Sequence, residues 1–208
     1  VLGRATGQLS SVHGVDRKTS GAYFYPFAVL GTFWLAKGDP LLFCVPIAVM
    51  ALADTVAAIV GRKTGAIRYR VMDSSRTLEG SLCFFGMALV LIIGGMALAG
   101  QPGWPAMLIV ALVAAIMCTA TEAISVRGAD NLCLPYACFL VMGRTLRLGL
   151  SDLSGWVEGM LIGIITVALT YRRASLTPSG SVTLFMVLTL SWALGGWIWT
   201  LPLAALFF

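Results

Sequence analysis

Apolar residues in this 208-residue chain come in long uninterrupted runs, set between short polar stretches that hold most of the charge. A run of about 20 apolar residues is long enough to cross the hydrocarbon core as a helix, because only an internal hydrogen-bond ladder satisfies the backbone in lipid. Counting apolar residues between charges predicts membrane segments at roughly Gly21 to Ala36, Leu41 to Val60, Leu82 to Ala99, Pro105 to Ile124, Leu132 to Leu150, Gly155 to Tyr171 and Val182 to Trp199. The expected fold is therefore all-α, a polytopic integral membrane bundle of about seven transmembrane helices. The first segment is short, and Lys37-Gly38-Asp39-Pro40 predicts a tight turn joining it to the second. The fifth is free of charge only from Leu132 to Met142, so Arg144 and Arg147 have to snorkel to the interface. Between the second and third segments, Gly61 to Ser81 is too polar for lipid and too long for a simple turn, which predicts a functional loop.

Composition supports this reading: 59% of residues are hydrophobic and 11% charged, where soluble domains carry about a quarter charged. Laid on alternate faces of the seven segments, eleven of the 14 Lys and Arg residues fall on one side, and only Lys37, Arg144 and Arg147 on the other. By the positive-inside rule the basic face is expected to be cytoplasmic. The net charge of +5 is then a matter of topology, with a role in attracting anionic headgroups or a nucleotide triphosphate, and no nucleic-acid partner is expected.

The five cysteines sit in apolar stretches without metal-type spacing and read as small hydrophobes. His13 is the only histidine, which excludes histidine-rich metal sites, so any metal has to be held by oxygen; that favours Mg2+. The aromatic residues, Trp104, Trp197 and Trp199 among them, read as packing and interfacial residues. No removable signal peptide is expected. Because the chain opens on Val1 and closes within the apolar run at Leu206-Phe207-Phe208, sequence beyond both ends is expected.

Four polar groups fall on the basic face. Asp54 lies inside the second segment, and an acid in the membrane is a functional candidate by default, the alternative being a hydrogen bond between helices. Gly61-Arg62-Lys63-Thr64-Gly65 brackets two cations with glycines, a composition suited to phosphate oxygens and equally to a helix-end anchor. Arg76-Thr77-Leu78-Glu79-Gly80-Ser81 precedes the third segment and reads either as part of a site or as a helix cap. Glu122 and Ser125 share a helical face at the end of the fourth segment, and Asp130-Asn131 follows in the turn to the fifth, where capping is again the alternative. Asp54, Glu79, Glu122 and Asp130 thus all reach one face, where they repel unless Mg2+ and the nearby Arg and Lys side chains intervene.

These residues resemble the polyprenol kinase family, which includes phytol, farnesol and dolichol kinases and is related to the phosphatidate cytidylyltransferases. The resemblance runs from about Arg17 to Ala137. It is carried by Lys18-Thr19-Ser20-Gly21, by Ala53-Asp54-Thr55-Val56-Ala57-Ala58-Ile59-Val60-Gly61-Arg62, by Arg76 to Ser81, and by Glu122-Ala123-Ile124-Ser125 with Asp130-Asn131-Leu132-Cys133-Leu134-Pro135. It implies a multi-pass enzyme with its active face in the cytoplasm, transferring a phosphoryl group from CTP or another NTP such as ATP to a membrane isoprenoid alcohol with Mg2+. Asp54, Glu122 and Asp130 become the implied catalytic and metal residues. Thr55, Gly61, Arg62, Lys63, Gly65, Arg76, Thr77, Glu79, Gly80, Ser81, Ser125 and Asn131 become the implied nucleotide and phosphate residues. Residues 1–176 form the kinase-like membrane domain, and 177–208 resemble the start of a second, phytyl-phosphate kinase type domain. A homodimer is left open. Two other readings stand beside this one: an enzyme making a CDP-activated lipid, and a small membrane transporter whose acids gate an ion, for which paired broken helices near the midplane are the expected sign.

Overall fold

The computed structural model describes residues 21–71, 74–100, 103–126, 128–171 and 176–206. His13, the Lys18-Thr19-Ser20 part of the first motif, and the basic residues Arg4, Arg17, Arg127, Arg172 and Arg173 lie outside them. Seven helices and one small hairpin make up the described residues: α1 (Gly21–Ala36), α2 (Pro40–Thr64), β1 (Arg68–Val71), β2 (Ser74–Thr77), α3 (Leu78–Leu98), α4 (Trp104–Ile124), α5 (Asp130–Thr145), α6 (Leu150–Thr170) and α7 (Pro178–Ala205). Each helix coincides with one of the seven apolar runs. Five of them, α2, α3, α4, α6 and α7, are long and apolar enough to cross a membrane. α1 and α5 have 16 residues each, which at 1.5 Å per residue is short of the roughly 30 Å hydrocarbon layer.

The turn into α2 is as tight as its sequence implies. Lys37 and Gly38 both take positive φ, and Asp39 caps the helix, its Oδ1 accepting from the backbone N–H groups of Leu41 at 2.9 Å and Leu42 at 3.2 Å. Midway along, Val49–Ala53 widens into a single π-turn immediately before Asp54, a feature with no signature in the local sequence. α2 then runs on to Thr64, beyond the expected end at Val60.

α4 is the central helix: 61% of its apolar window is buried inside the protein against 22% for α7. Val110, Ala111, Ala114 and Cys118 of α4 join Phe84, Ala88, Ile92 and Met96 of α3 and Val49, Met50 and Ala53 of α2 in one apolar core. Small residues set the helix crossings. A side-chain carbon at Gly159 of α6 would lie 2.8 Å from the Thr189 carbonyl of α7, and one at Gly163 3.0 Å from the Phe185 carbonyl, so the two helices touch backbone to backbone. The stretch from 177 onward thereby packs along α6.

The long polar stretch is not simply a loop. Its first residues, Gly61–Thr64, complete α2, its last, Leu78–Ser81, begin α3, and between them β1 and β2 pair as an antiparallel hairpin with Tyr69 opposite Arg76 and Val71 opposite Ser74. Arg68 and Arg70 are exposed while Tyr69 is half-buried and Val71 fully buried, so alternate residues of β1 face solvent and bundle.

Candidate functional site

The hairpin carries Arg76 onto the end of the bundle where α2 and α4 finish and α3 and α5 begin. Because Tyr69 and Arg76 are directly opposed across the ladder, both side chains project from the same, inward face. Arg76 there holds three elements together. Its Nη1 donates to Glu122 Oε1 of α4 in a close ion pair, while its Nη2 donates to Asp130 Oδ2 of α5 at 3.2 Å and to the Ser125 carbonyl at 3.1 Å. Glu122 is nearly inaccessible, with 5% of its side chain exposed against 20% for Arg76 and 16% for Asp130. The other oxygen of Glu122 accepts from Ser81 Oγ at 3.3 Å, and Ser81 lies 2.7 Å from the Tyr69 phenol. Since the Ser81 proton goes to Glu122, Tyr69 donates to Ser81. The order Tyr69, Ser81, Glu122, Arg76, Asp130 forms one connected polar chain.

Asp54 stands on α2, half-buried and within direct charge interaction of Arg76, Asp130 and Glu122. Among the described residues its carboxylate accepts no hydrogen bond. Burial by itself would lower the pKa of Arg76, but Glu122, Asp130 and Asp54 together outweigh it and hold the guanidinium above its ordinary value. Burial, reinforced by Glu122, likewise pushes the Tyr69 phenol up against the opposing pull of Arg76.

Three of the four carboxylates expected at one face thus share this cluster, and the positive charge among them is Arg76. Glu79 stands apart: its Oε1 accepts from the backbone N–H groups of Ala66 at 3.0 Å and Ile67 at 3.1 Å, which fastens the segment leading into β1. Thr77 caps α3, its Oγ1 accepting from Gly80 N–H at 3.2 Å. Gly61 and Gly80 form the crossing of α2 on α3, where a side-chain carbon on Gly80 would lie 3.2 Å from the Ala57 carbonyl and one on Gly61 2.6 Å from Thr77 Oγ1. Gly65 closes α2 with its N–H on the Gly61 carbonyl at 3.2 Å. Thr55 and Ser125 turn their hydroxyls back to the Ala51 and Thr121 carbonyls of their own helices. Asn131 spends its side-chain amide on the Gly21 carbonyl at 3.1 Å, tying α5 to the start of α1. Arg62 and Lys63 are exposed at the end of α2, with the Arg62 Nε donating to the Ala58 carbonyl. Sequence reasoning missed Tyr69; the Arg-Tyr-Arg-Val alternation was its only local signal.

Among the described residues, no three His, Cys, Asp or Glu side chains converge closely enough to form a standing metal cage. Magnesium, however, typically takes one or two protein carboxylates and completes its shell with water and substrate phosphate. The donors here fit an ion that arrives with a polyphosphate.

A membrane-embedded helical bundle carrying a carboxylate and arginine centre at one end is the class of protein that the fold and site define. The chain is similar to the phytol kinase of Synechocystis sp., to which it is 31% identical over 147 residues, 68% of this chain and 62% of that relative. It thus spans about three fifths of the length of the curated relative it matches. No family model matches the chain, and no solved structure matches it significantly.

Proposed function

We propose that the chain is a membrane phosphotransferase of the polyprenol kinase family, moving the γ-phosphoryl group of a nucleoside triphosphate, CTP or ATP, to the hydroxyl of an isoprenoid alcohol dissolved in the bilayer. The observation that carries this reading is the junction of Arg76, Glu122, Asp130 and Asp54 at one end of the bundle, in a chain similar to a phytol kinase.

In such a transfer the alcohol oxygen bonds to the γ-phosphorus, the bond to the β,γ-bridging oxygen breaks, and the alcohol proton passes to a base. Protein groups contribute position and charge rather than covalent chemistry. Asp54 is the carboxylate assigned to the proton, because Arg76 already engages Glu122 and Asp130 while Asp54 accepts no hydrogen bond among the described residues. Arg76, fixed from both sides, presents its guanidinium to phosphoryl oxygens without reorganising, and exposed Arg62 and Lys63 draw the triphosphate to this end of the bundle. Asp54, Glu122 and Asp130 would be the chain's oxygen donors to a Mg2+ ion, which would supply further charge neutralisation of the polyphosphate. The active face is cytoplasmic on the distribution of basic residues.

The test is direct. Purified protein is incubated with γ-labelled CTP or ATP and a panel of isoprenoid alcohols and phosphatidate. A labelled prenyl monophosphate is the expected product. A CDP-lipid with release of pyrophosphate, or no lipid product with any acceptor, overturns the proposal.

A further inference from the structure

A groove of about 480 Å³ opens beside the polar centre, within the roughly 300–1,000 Å³ range of small-molecule sites. Its walls come from three places: Val71 on the inner face of β1, Ile124 at the end of α4, and the first half of α7, where Gly180, Thr183, Leu184 and Val187 line it. Leu203 also lines it. In a straight helix Leu203 stands about 35 Å from Gly180 at 1.5 Å per residue, too far to share one groove. Gly196 resolves this: at φ 63° and ψ −156° it breaks α7, and the segment beyond it folds back to close the groove's far side.

The groove is continuous with the candidate site through two backbones. Val71 lies two residues from Tyr69 on the same face of β1, and Ile124 lies between Glu122 and Ser125, the residues that hold Arg76. Its surface is mainly aliphatic, and the hydroxyls of Thr177 and Ser179, 3.2 Å apart, are the polar groups that α7 adds to its lining near the start of that helix. An occupant matched to these walls is long, apolar and tipped with one small polar group.

We infer that this groove holds the hydrocarbon chain of a lipid alcohol and presents its hydroxyl to the Glu122, Arg76 and Asp130 end. The inference rests on the phosphotransferase reading for the identity of the head, while the groove itself can be tested by binding alone. The probe is a diazirine-tagged geranylgeraniol added to the full chain in phospholipid nanodiscs. Labelling is expected to concentrate at Thr183 to Val187 and around Ile124, to be competed by untagged geranylgeraniol, and to fall in Val187→Trp and Thr183→Phe, two exposed positions where a larger side chain narrows the groove without entering the core. Ile164→Trp, on the outward face of α6, is the matched control and keeps the label. In transfer assays the preference for geranylgeraniol over geraniol falls about tenfold in the two groove variants, the scale of a lost apolar subsite. Labelling spread evenly over the lipid-facing helices, labelling that untagged alcohol does not displace, or a groove crosslinked to a second copy overturns the inference. A labelled groove in a protein that phosphorylates no alcohol leaves the groove standing and removes the kinase reading; transfer with the label elsewhere does the reverse.

Discussion

The Arg76 guanidinium donates to Asp130 at 3.2 Å across 54 residues of chain, and through its other nitrogen it engages Glu122 on a third element. One cation therefore pins the hairpin to α4 and α5 and supplies the counter-charge to two carboxylates. Glu122, with 5% of its side chain exposed, depends on it most.

Replacing Arg76 by Gln leaves Glu122 buried without a counter-charge, for which the expected cost is about 3–5 kcal/mol of stability. Thermal melting in detergent checks this. The double variant Arg76→Gln with Glu122→Gln removes both charges and is expected to recover most of the melting temperature while remaining inactive in phosphoryl transfer. Equal losses in the single and double variants would show that the pair is not coupled.

Asp54 accepts no hydrogen bond among the described residues, so Asp54→Asn is expected to leave the melting temperature unchanged or higher. Phosphoryl transfer should nevertheless fall by about a hundredfold or more, the scale of a lost general base. Wild-type turnover in this variant removes Asp54 from the mechanism.

Tyr69 gives a pH-dependent readout. The fold raises its pKa, first by burial, so the native state favours the protonated phenol. The resulting stabilisation is complete below the ordinary tyrosine pKa and is lost as pH rises through the raised native value. Tyr69→Phe is expected to flatten the alkaline fall in melting temperature and to cost about 0.5–1.5 kcal/mol at neutral pH for the lost bond to Ser81. The ultraviolet difference titration of wild type minus variant should place the phenol above free tyrosine.

Gly80 is set against the α2 backbone, 3.2 Å separating its would-be side-chain carbon from the Ala57 carbonyl. Gly80→Val forces the crossing apart, with an expected loss of about 1–3 kcal/mol. Gly86, on the same helix with nothing within 4 Å, tolerates the same change in a parallel melt.

By itself the sequence determined the all-helical class and where each helix lies, while the expected seven crossings come down to five helices long and apolar enough to span a membrane. Runs of apolar residues interrupted by charge can satisfy their backbones in lipid only as helices, so each of the seven runs became a helix, and the tight turn before α2 was legible from Lys37-Gly38-Asp39-Pro40. Local pattern also brought Asp54, Glu122 and Asp130 to a common end, because alternating crossings fix which side each helix end meets. What remained for the tertiary structure was who partners whom. Whether Glu79 faces its fellow acids or the Ala66 and Ile67 amides, and whether Asn131 faces a ligand or the Gly21 carbonyl, depends on the distance between chain segments that propensity does not encode. The hairpin that carries Arg76 and Tyr69 inward, the π-turn ahead of Asp54 and the reversal at Gly196 arise in the same way, since each is a backbone departure stabilised by packing against elements far away in sequence.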